Sequence, residues 1–478
     1  ILTPKMDAVL QHPRIELLTY CEVEEVKGFV GNFEIKVRQK ARYVDHDKCN
    51  ACLACTEKCP GRGISEWDEG LVKRKAIAIP FPQAVPRVPV LDTESCIWFE
   101  RQRCQTCEKL CPTKAIRFDQ EDEIIEVDVG NIIIATGWKP FDCTKIPQYG
   151  YGRLPNVYTG MEFERLCNAA GPTSGKIVLR DGKTVPKSVA IIHCVGSRDL
   201  NHNPYCSGIC CMAALKFAHL LIEKTGAQVY SFYIDIRTNQ KDYEEFYQRL
   251  LQEGVHFVRG KVSEVTDATR RPDETGKTIV QCEDTLTGRQ ERYPVDMVIL
   301  MGALEPQFDA RELGLKCGIS CSMAGFYTER HPKLDPVATM TDGIFIAGVC
   351  QGPKDIPASV VQGAAAAARV AGMITKGKVM IEPIVASIRE EDCSGCRICN
   401  NMCPYNAIEF DETRAVSRVI TALCKGCGTC VSACPAGVIE GAHFNNSQIF
   451  AEIEGALWDA VPPAGVPGES ESAGVSAS

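Results

Sequence analysis

The chain has 478 residues, 45% of them hydrophobic and 24% charged, with a formal net charge of −8. That composition belongs to a soluble globular protein of about three domains at roughly 100–200 residues each, and the negative balance argues against nucleic acid or an anionic membrane as partner. No apolar run reaches the roughly 18 residues of a membrane span, and 27 cysteines in so long a chain exclude a small disulfide scaffold and point to thiolate ligands in a reducing, cytoplasmic compartment.

Ile1-Leu2-Thr3-Pro4 carries no initiator methionine and opens no signal peptide, so an upstream segment is expected. Alternating runs at Ile15–Tyr20 and Phe33–Val37 predict strands within a region 1–45. A cysteine block at 46–118 interrupts them and contains an extended connector marked by Pro80, Pro82, Pro86 and Pro89. Strand pattern resumes at Ile124–Asp128 and Asn131–Gly137, so the block reads as an insertion ahead of a region 119–185.

Over 186–300 strands and helices alternate: Val189–Cys194, helix Gly208–Lys224, Gln228–Asp235, helix Tyr243–Gln252, Val255–Val258. That order predicts a parallel, doubly wound sheet. Strands follow at 278–283 and 295–301. Region 301–380 holds a strand at Gly343–Gly348 and a helix at Ala358–Ile374. A second cysteine block fills 381–445, and the tail 446–478, rich in Pro, Gly and Ser from Pro462, is expected to be partly disordered.

The chemistry lies in the cysteine spacing. Cys49-x2-Cys52-x2-Cys55-x3-Cys59-Pro60 recurs as Cys393-x2-Cys396-x2-Cys399-x3-Cys403-Pro404 and as Cys424-x2-Cys427-x2-Cys430-x3-Cys434-Pro435. A stretched copy ends in Cys104-x2-Cys107-x3-Cys111-Pro112. This is two-cluster ferredoxin spacing, in which three thiolates grip one [4Fe–4S] cube and the fourth reaches its neighbour. The crossed rule groups Cys49, Cys52, Cys55 and Cys111, then Cys393, Cys396, Cys399 and Cys434, then Cys424, Cys427, Cys430 and Cys403. Cys59, Cys104 and Cys107 need a fourth ligand; regular spacing would put it at Arg101, and Cys96 is the nearby replacement. Zinc is the alternative occupant. Cys194, at a strand end, and Cys206, Cys210 and Cys211, read as opening the next helix with Cys206 and Cys210 on one face, make either a further metal site or a group of buried thiols.

Two strand ends carry a flavin signal: Ala135-Thr136-Gly137, and the segment Thr341–Gly348 with Gly343 and Gly348. The first Gly-x-Gly-x-x-Gly of a flavin domain is not in the chain, and would precede Ile1. Where a nicotinamide domain would carry its own glycines, the chain has His193-Cys194-Val195-Gly196-Ser197-Arg198, a poor pyrophosphate pocket.

With Pro204-Tyr205-Cys206-x3-Cys210-Cys211 and Gly348-Val349-Cys350-Gln351-Gly352-Pro353-Lys354-Asp355-Ile356-Pro357, these motifs resemble the HdrA-like iron–sulfur flavoprotein family, the A-type subunits of heterodisulfide reductase, over nearly all of 1–445. The resemblance implies an α/β fold: a thioredoxin-reductase-like core of two dinucleotide-type domains binding FAD, with an inserted and a C-terminal two-cluster ferredoxin domain. It makes Cys194, Cys206, Cys210 and Cys211 ligands of a fifth [4Fe–4S] cluster, and places Gln351, Gly352, Pro353, Lys354 and Ile356 near FAD. Lys354 is expected beside the isoalloxazine, stabilising negative charge there. The implied activity is flavin-based electron bifurcation within a multi-subunit redox complex. Its implied partners are heterodisulfide reductase B/C-like subunits, hydrogenase or dehydrogenase subunits supplying electrons, and ferredoxin, in a dimeric assembly. A nicotinamide-dependent FAD/iron–sulfur reductase and a non-catalytic wiring subunit are the alternatives.

Overall fold

The computed structural model describes residues 2–378 and 383–457, in two compact units divided between Val370 and Ala371. The first opens with helix α1 (Leu2–Gln11), none of whose residues is buried. Strands β1 (Cys21–Phe29) and β2 (Asn32–Gln39) form an antiparallel hairpin. The strand expected at Ile15–Tyr20 is irregular backbone instead. Ile15 and Leu17 are exposed there, with no neighbouring strand on which the alternation would act.

The cysteine block, with its short hairpin β3 (Arg62–Ile64) and β4 (Lys73–Lys75), leaves at the end of β2 and returns into β5 (Glu123–Val129). β2 and β5 are adjacent, with Val37 opposite Ile125, so the block emerges from between neighbouring strands of one sheet. Its stem is closed by the Ala41 and Tyr43 amides, which donate to Asp122 Oδ1 at 2.8 Å and Gln120 Oε1 at 2.7 Å.

After β6 (Ile132–Ile134) comes a parallel sheet containing β7 (Val157–Thr159), which leads through a Thr159–Glu162 capping box into α2 (Gly160–Cys167). Then follow β8 (Ser188–Val195), α3 (Cys210–Thr225), β9 (Gln228–Tyr233), α4 (Tyr243–Gln252) and β10 (His256–Arg259). β11 (Val262–Thr266), β12 (Thr278–Asp284) and β13 (Arg289–Val295) form an antiparallel sheet, and β14 (Met297–Gly302) rejoins the parallel one, whose order is β7-β14-β8-β9-β10. β8 is apolar on both faces because it is covered on both. On one side Val189, Ile191 and Ile299 meet Phe163, Leu215, Leu221 and Leu250 of the helices. On the other Ala190, Ile192 and Val298 meet Val265, Val280 and Val295. The doubly wound expectation is therefore corrected: the second face is closed by the antiparallel sheet, whose strands bury their own alternate residues, and not by helices.

β15 (Ile344–Ile346) pairs parallel with β6, Ile346 opposite Ile134, is bridged on its other edge by Ala338 opposite Phe345, and leads into the long helix α5 (Ile356–Lys376). In the second unit β16 (Ala386–Ile388) pairs with β19 (Ile439–Gly441), and β17 (Ile408–Asp411) with β18 (Val416–Val419). Ala386, Ile408, Val438 and Ile439 pack with the cysteines as its core, and α6 (Asn446–Leu457) follows. The tail from Pro462 lies outside the described residues. Among the described residues no helix is long and apolar enough to cross a membrane.

Candidate metal and cofactor centres

In each regular cysteine loop, the residues just before and just after the second cysteine take left-handed φ. They are Ala51 (56°) and Leu53 (64°), Gly395 (68°) and Arg397 (58°), and Gly426 (64°) and Gly428 (74°). Alternating hands turn successive amides to one side and make a concave nest for an anion. For Ala, Leu and Arg that hand costs roughly 1–2 kcal/mol each, so the loop's task imposes it. Beyond three of the Cys-Pro pairs the backbone turns left again, at Lys114, Asn406 and Gly437. The next amides donate to sulfur in two of them: Ala115 N to Cys111 Sγ at 3.2 Å and Ala407 N to Cys403 Sγ at 3.3 Å. Such bonds favour the thiolate and help to set a cluster's potential.

The loops bring the cysteines together in crossed sets. Cys403, Cys424, Cys427 and Cys430 line a cavity of about 280 Å³. Cys393, Cys396, Cys399 and Cys434 line another of about 10 Å³, and Cys59, Cys96, Cys104 and Cys107 a third of about 20 Å³. Cys49 and Cys111 lie close enough to Cys55 to raise its pKa, after burial, the main cause; Cys52 is the exposed member of that loop. Arg101 points outward and pairs with Glu100 at 2.9 and 3.0 Å. Each set offers four thiols, the donor count of a cube with one thiolate to each iron. Burial, then the neighbouring Cys96, Cys59 and Cys55, pushes the Cys107 thiol up to about 12. Cys111 ends below its usual value, because bonds from Ala115 and Thr113 outweigh its burial.

A further ring forms at the carboxyl end of β8. The β8–β14 register shifts between Ile192 and Val195, and Cys194 sits on that irregularity with φ of 57°. Cys206, Cys210 and Cys211 lie close to it, and Cys211 Sγ donates to Asp235 O, just past β9, at 3.6 Å, at the carboxyl ends of the strands where parallel sheets receive ligands. The expectation that Cys206 and Cys210 share a helical face is corrected: α3 begins at Cys210, and a turn at Gly208 (φ 70°) brings Cys206 round. Ser207 pins that turn, its Oγ 2.6 Å from Ser197 Oγ and accepting from Leu304 N at 3.0 Å. Burial, then Cys211 and Cys206, pushes the Cys194 thiol up to about 11, opposed by Arg198 and Arg237. Cys210 is raised by burial and by the other three. Gly196 serves packing: a Cβ there would lie 2.7 Å from the Phe141 ring.

The flavin-type segments meet at the carboxyl ends of β6 and β15. Gly137 (φ 75°) and Gly348 (φ 78°) follow the two strands, and nothing lies within 4 Å of a Cβ at either. Ala135 and Thr136 are exposed, and the buried Tyr327 hydroxyl lies against Thr136. An open glycine cradle beside an exposed threonine fits a dinucleotide's polar edge. Gly343 is a correction: it lies at the amino end of β15, where a left-handed φ of 82° and a Cβ position 2.8 Å from Val30 explain the glycine. Lys354 Nζ donates to Gly348 O and Gly352 O, both at 2.8 Å, and burial lowers its pKa. It thus cross-braces the loop of Gln351, Gly352 and Pro353. Ile356, at the start of α5, is exposed.

Sequence reasoning missed Gln362, the buried brace of this cradle. It accepts from Gly348 N at 2.7 Å and donates to Gln351 Oε1 at 2.9 Å. A lone glutamine in an alanine-rich helix was the available signal. Cys350, surplus to the ligand sets, donates to Ile134 O and Ala347 O at 3.3 and 3.2 Å and ties the two strand ends together.

Family models for a 4Fe-4S dicluster domain and a 4Fe-4S binding domain match residues 386–440 and 46–65. The chain is 47% identical over 460 residues to the A-type subunit of H2:CoB-CoM heterodisulfide,ferredoxin reductase from Methanothermobacter thermautotrophicus, covering 96% of this chain and 68% of that protein. It is 49% identical over 464 residues to the second A-type iron-sulfur subunit of CoB–CoM heterodisulfide reductase from Methanopyrus kandleri, covering 96% and 69%. Thioredoxin reductase of T. acidophilum superposes on 63% of this chain and 85% of its own at 13% identity, with a TM-score of 0.35.

Proposed function

Since this chain belongs to the family of A-type heterodisulfide reductase subunits, an oxidoreductase family carrying [4Fe–4S] clusters and FAD, we propose that it is the electron-bifurcating junction of a multi-subunit redox complex. The twenty cysteines of the four crossed sets and the core set hold five cubes. FAD, bound along the cradle of Ala135–Gly137 and Gly348–Ile356, exchanges electron pairs for single electrons. The chain's own groups prepare for it. Gln362 and Lys354 fix the loop, the glycines leave room for close approach, and the half-buried ammonium of Lys354 sets positive charge at the site's edge.

The observation that carries this proposal is the thiol ring at the carboxyl end of β8. A parallel sheet normally receives its nicotinamide at that end, through glycines. Here four cysteines gather there and Gly196 makes room for Phe141, so electrons enter one at a time through clusters. Partners follow in kind: B/C-like subunits, an input hydrogenase or dehydrogenase, and ferredoxin, in the cytoplasm.

The test is anaerobic reduction. The loaded protein should accept electrons from reduced ferredoxin and stay oxidised with NADH or NADPH. Flavin bleaching by a nicotinamide would reverse the proposal in favour of a nicotinamide-dependent reductase.

A further inference from the structure

The hairpin β3–β4 sits on the inserted block like a strut. Its base is meshed with two members of one thiol ring. Arg62 and Lys75 both donate to Cys59 O, at 2.9 and 2.8 Å. A Cβ on Gly61 would meet Ser95 O at 2.7 Å, beside Cys96. Asp92 Oδ2 accepts from Ser95 Oγ at 2.6 Å and from Arg74 at 3.5 Å. The base cannot shift without moving Cys59 and Cys96.

The tip of the hairpin leaves the block and reaches the parallel-sheet core. Asp68 Oδ1 accepts from Nε and Nη2 of Arg165 on α2, at 3.1 and 3.0 Å. That ion pair is well buried, with side-chain exposures of 9% for Arg165 and 17% for Asp68. The same guanidinium lies 5.0 Å from the Trp67 ring centre, and Trp67 stacks on Phe81 at 4.7 Å. Leu71 joins the cluster formed by α2, α3 and the sheet. Inside the tip, Ser65 Oγ donates to Asp68 Oδ2 at 2.9 Å, holding the carboxylate for Arg165. Between base and tip the hairpin borders an open cleft of about 1210 Å³, whose far side includes Tyr20 and Lys40 of the stem. Little else steadies it.

The block thus meets the core at two places. The stem joins it to the β1–β2–β5 sheet, and two strands alone would act as a hinge. The tip joins it to α2, next to the sheet that carries the Cys194–Cys211 ring. A buried ion pair is a poor source of net stability but a good device for fixing one arrangement, since an unpaired partner is strongly disfavoured.

We propose that Asp68 and Arg165 are positioning residues for electron transfer, fastening the β3–β4 hairpin to α2 and so holding the Cys59/Cys96/Cys104/Cys107 ring at a set place against the core. This rests on that ring carrying a cluster, which iron analysis of the unaltered protein tests separately. In the iron-loaded chain, Asp68→Ala should keep full iron and cluster absorbance. Amide hydrogen exchange across 65–72 should rise at least tenfold, and the magnetic interaction between the inserted and core clusters in reduced-state EPR should weaken. Asp68→Glu should restore part of both. Unchanged exchange and unchanged spin interaction in Asp68→Ala would overturn the proposal. Loss of iron from the Cys59 ring would also overturn it, by making Asp68 a residue of cluster assembly.

Discussion

Leu53 in the inserted block and Gly428 in the C-terminal block occupy the same place in their cysteine loops, with φ of 64° and 74°. One side chain tolerates the left-handed backbone and the other is free of its cost, yet the loops present their thiols alike. The blocks differ in their surroundings. The C-terminal block keeps regular spacing, and its cysteines form the centre of a small self-contained core. In the inserted block Cys96 joins Cys59, Cys104 and Cys107 around one cavity where regular spacing would put Arg101, and a hairpin lies between Cys59 and Cys96, its tip reaching the core at Arg165. The cluster loop is therefore a transferable local unit, and what differs is how each block is tied to what lies beyond it.

The largest expected effects separate the rings. Cys210→Ser should remove about four irons or leave a three-iron remnant, with both ferredoxin-type blocks intact, because no ligand is shared. Anaerobic iron analysis with reduced-state EPR reads this out; full iron would reduce the four core cysteines to buried thiols. The stretched spacing makes the next test. Cys96→Ala should convert or empty one cube of the inserted block, whereas Arg101→Ala should leave iron and spectrum unchanged, a guanidinium being unable to ligate iron.

Smaller effects test the backbone. Gly428→Ala meets no atom within 4 Å, so its cost is the left-handed φ alone, about 1 kcal/mol. Leu53→Gly should lie within about 1 kcal/mol of neutral, relief of strain offsetting added chain entropy. Thermal unfolding of the iron-loaded protein compares them, and equal losses at both sites would contradict the shared conformation. Gly343→Ala and Gly348→Ala sharpen the same contrast at the flavin cradle. The first should destabilise by roughly 1–3 kcal/mol through overpacking, added to the cost of its left-handed φ, with FAD content preserved; the second should lower FAD content and lose only about 1 kcal/mol through its left-handed φ.

What the sequence made legible was local. The ferredoxin spacing carries its grouping within about sixty residues, and the cysteines of three of the four crossed sets line common cavities in the fold. The helix Tyr243–Gln252 and the strand around Ile191 were legible because periodicity and burial agree there. Ile15–Tyr20 has the alternation of a strand and no partner for it. Helix α1 buries nothing and so shows no apolar stripe. The antiparallel cover over β8, the place of Gly343 against Val30 and the Asp68–Arg165 contact all join residues far apart in the chain. No short window of sequence records them. Cys206 was misplaced for a local reason, since the i, i+4 spacing of a helix also occurs across a turn at a glycine.

The account stands most directly on the iron count of the intact chain, measured with acid-labile sulfide and Mössbauer spectra under strict anaerobiosis. The five proposed sets of four cysteines predict about twenty irons per chain, all in four-iron cubes. A value near eight, or stoichiometric zinc, would contradict it.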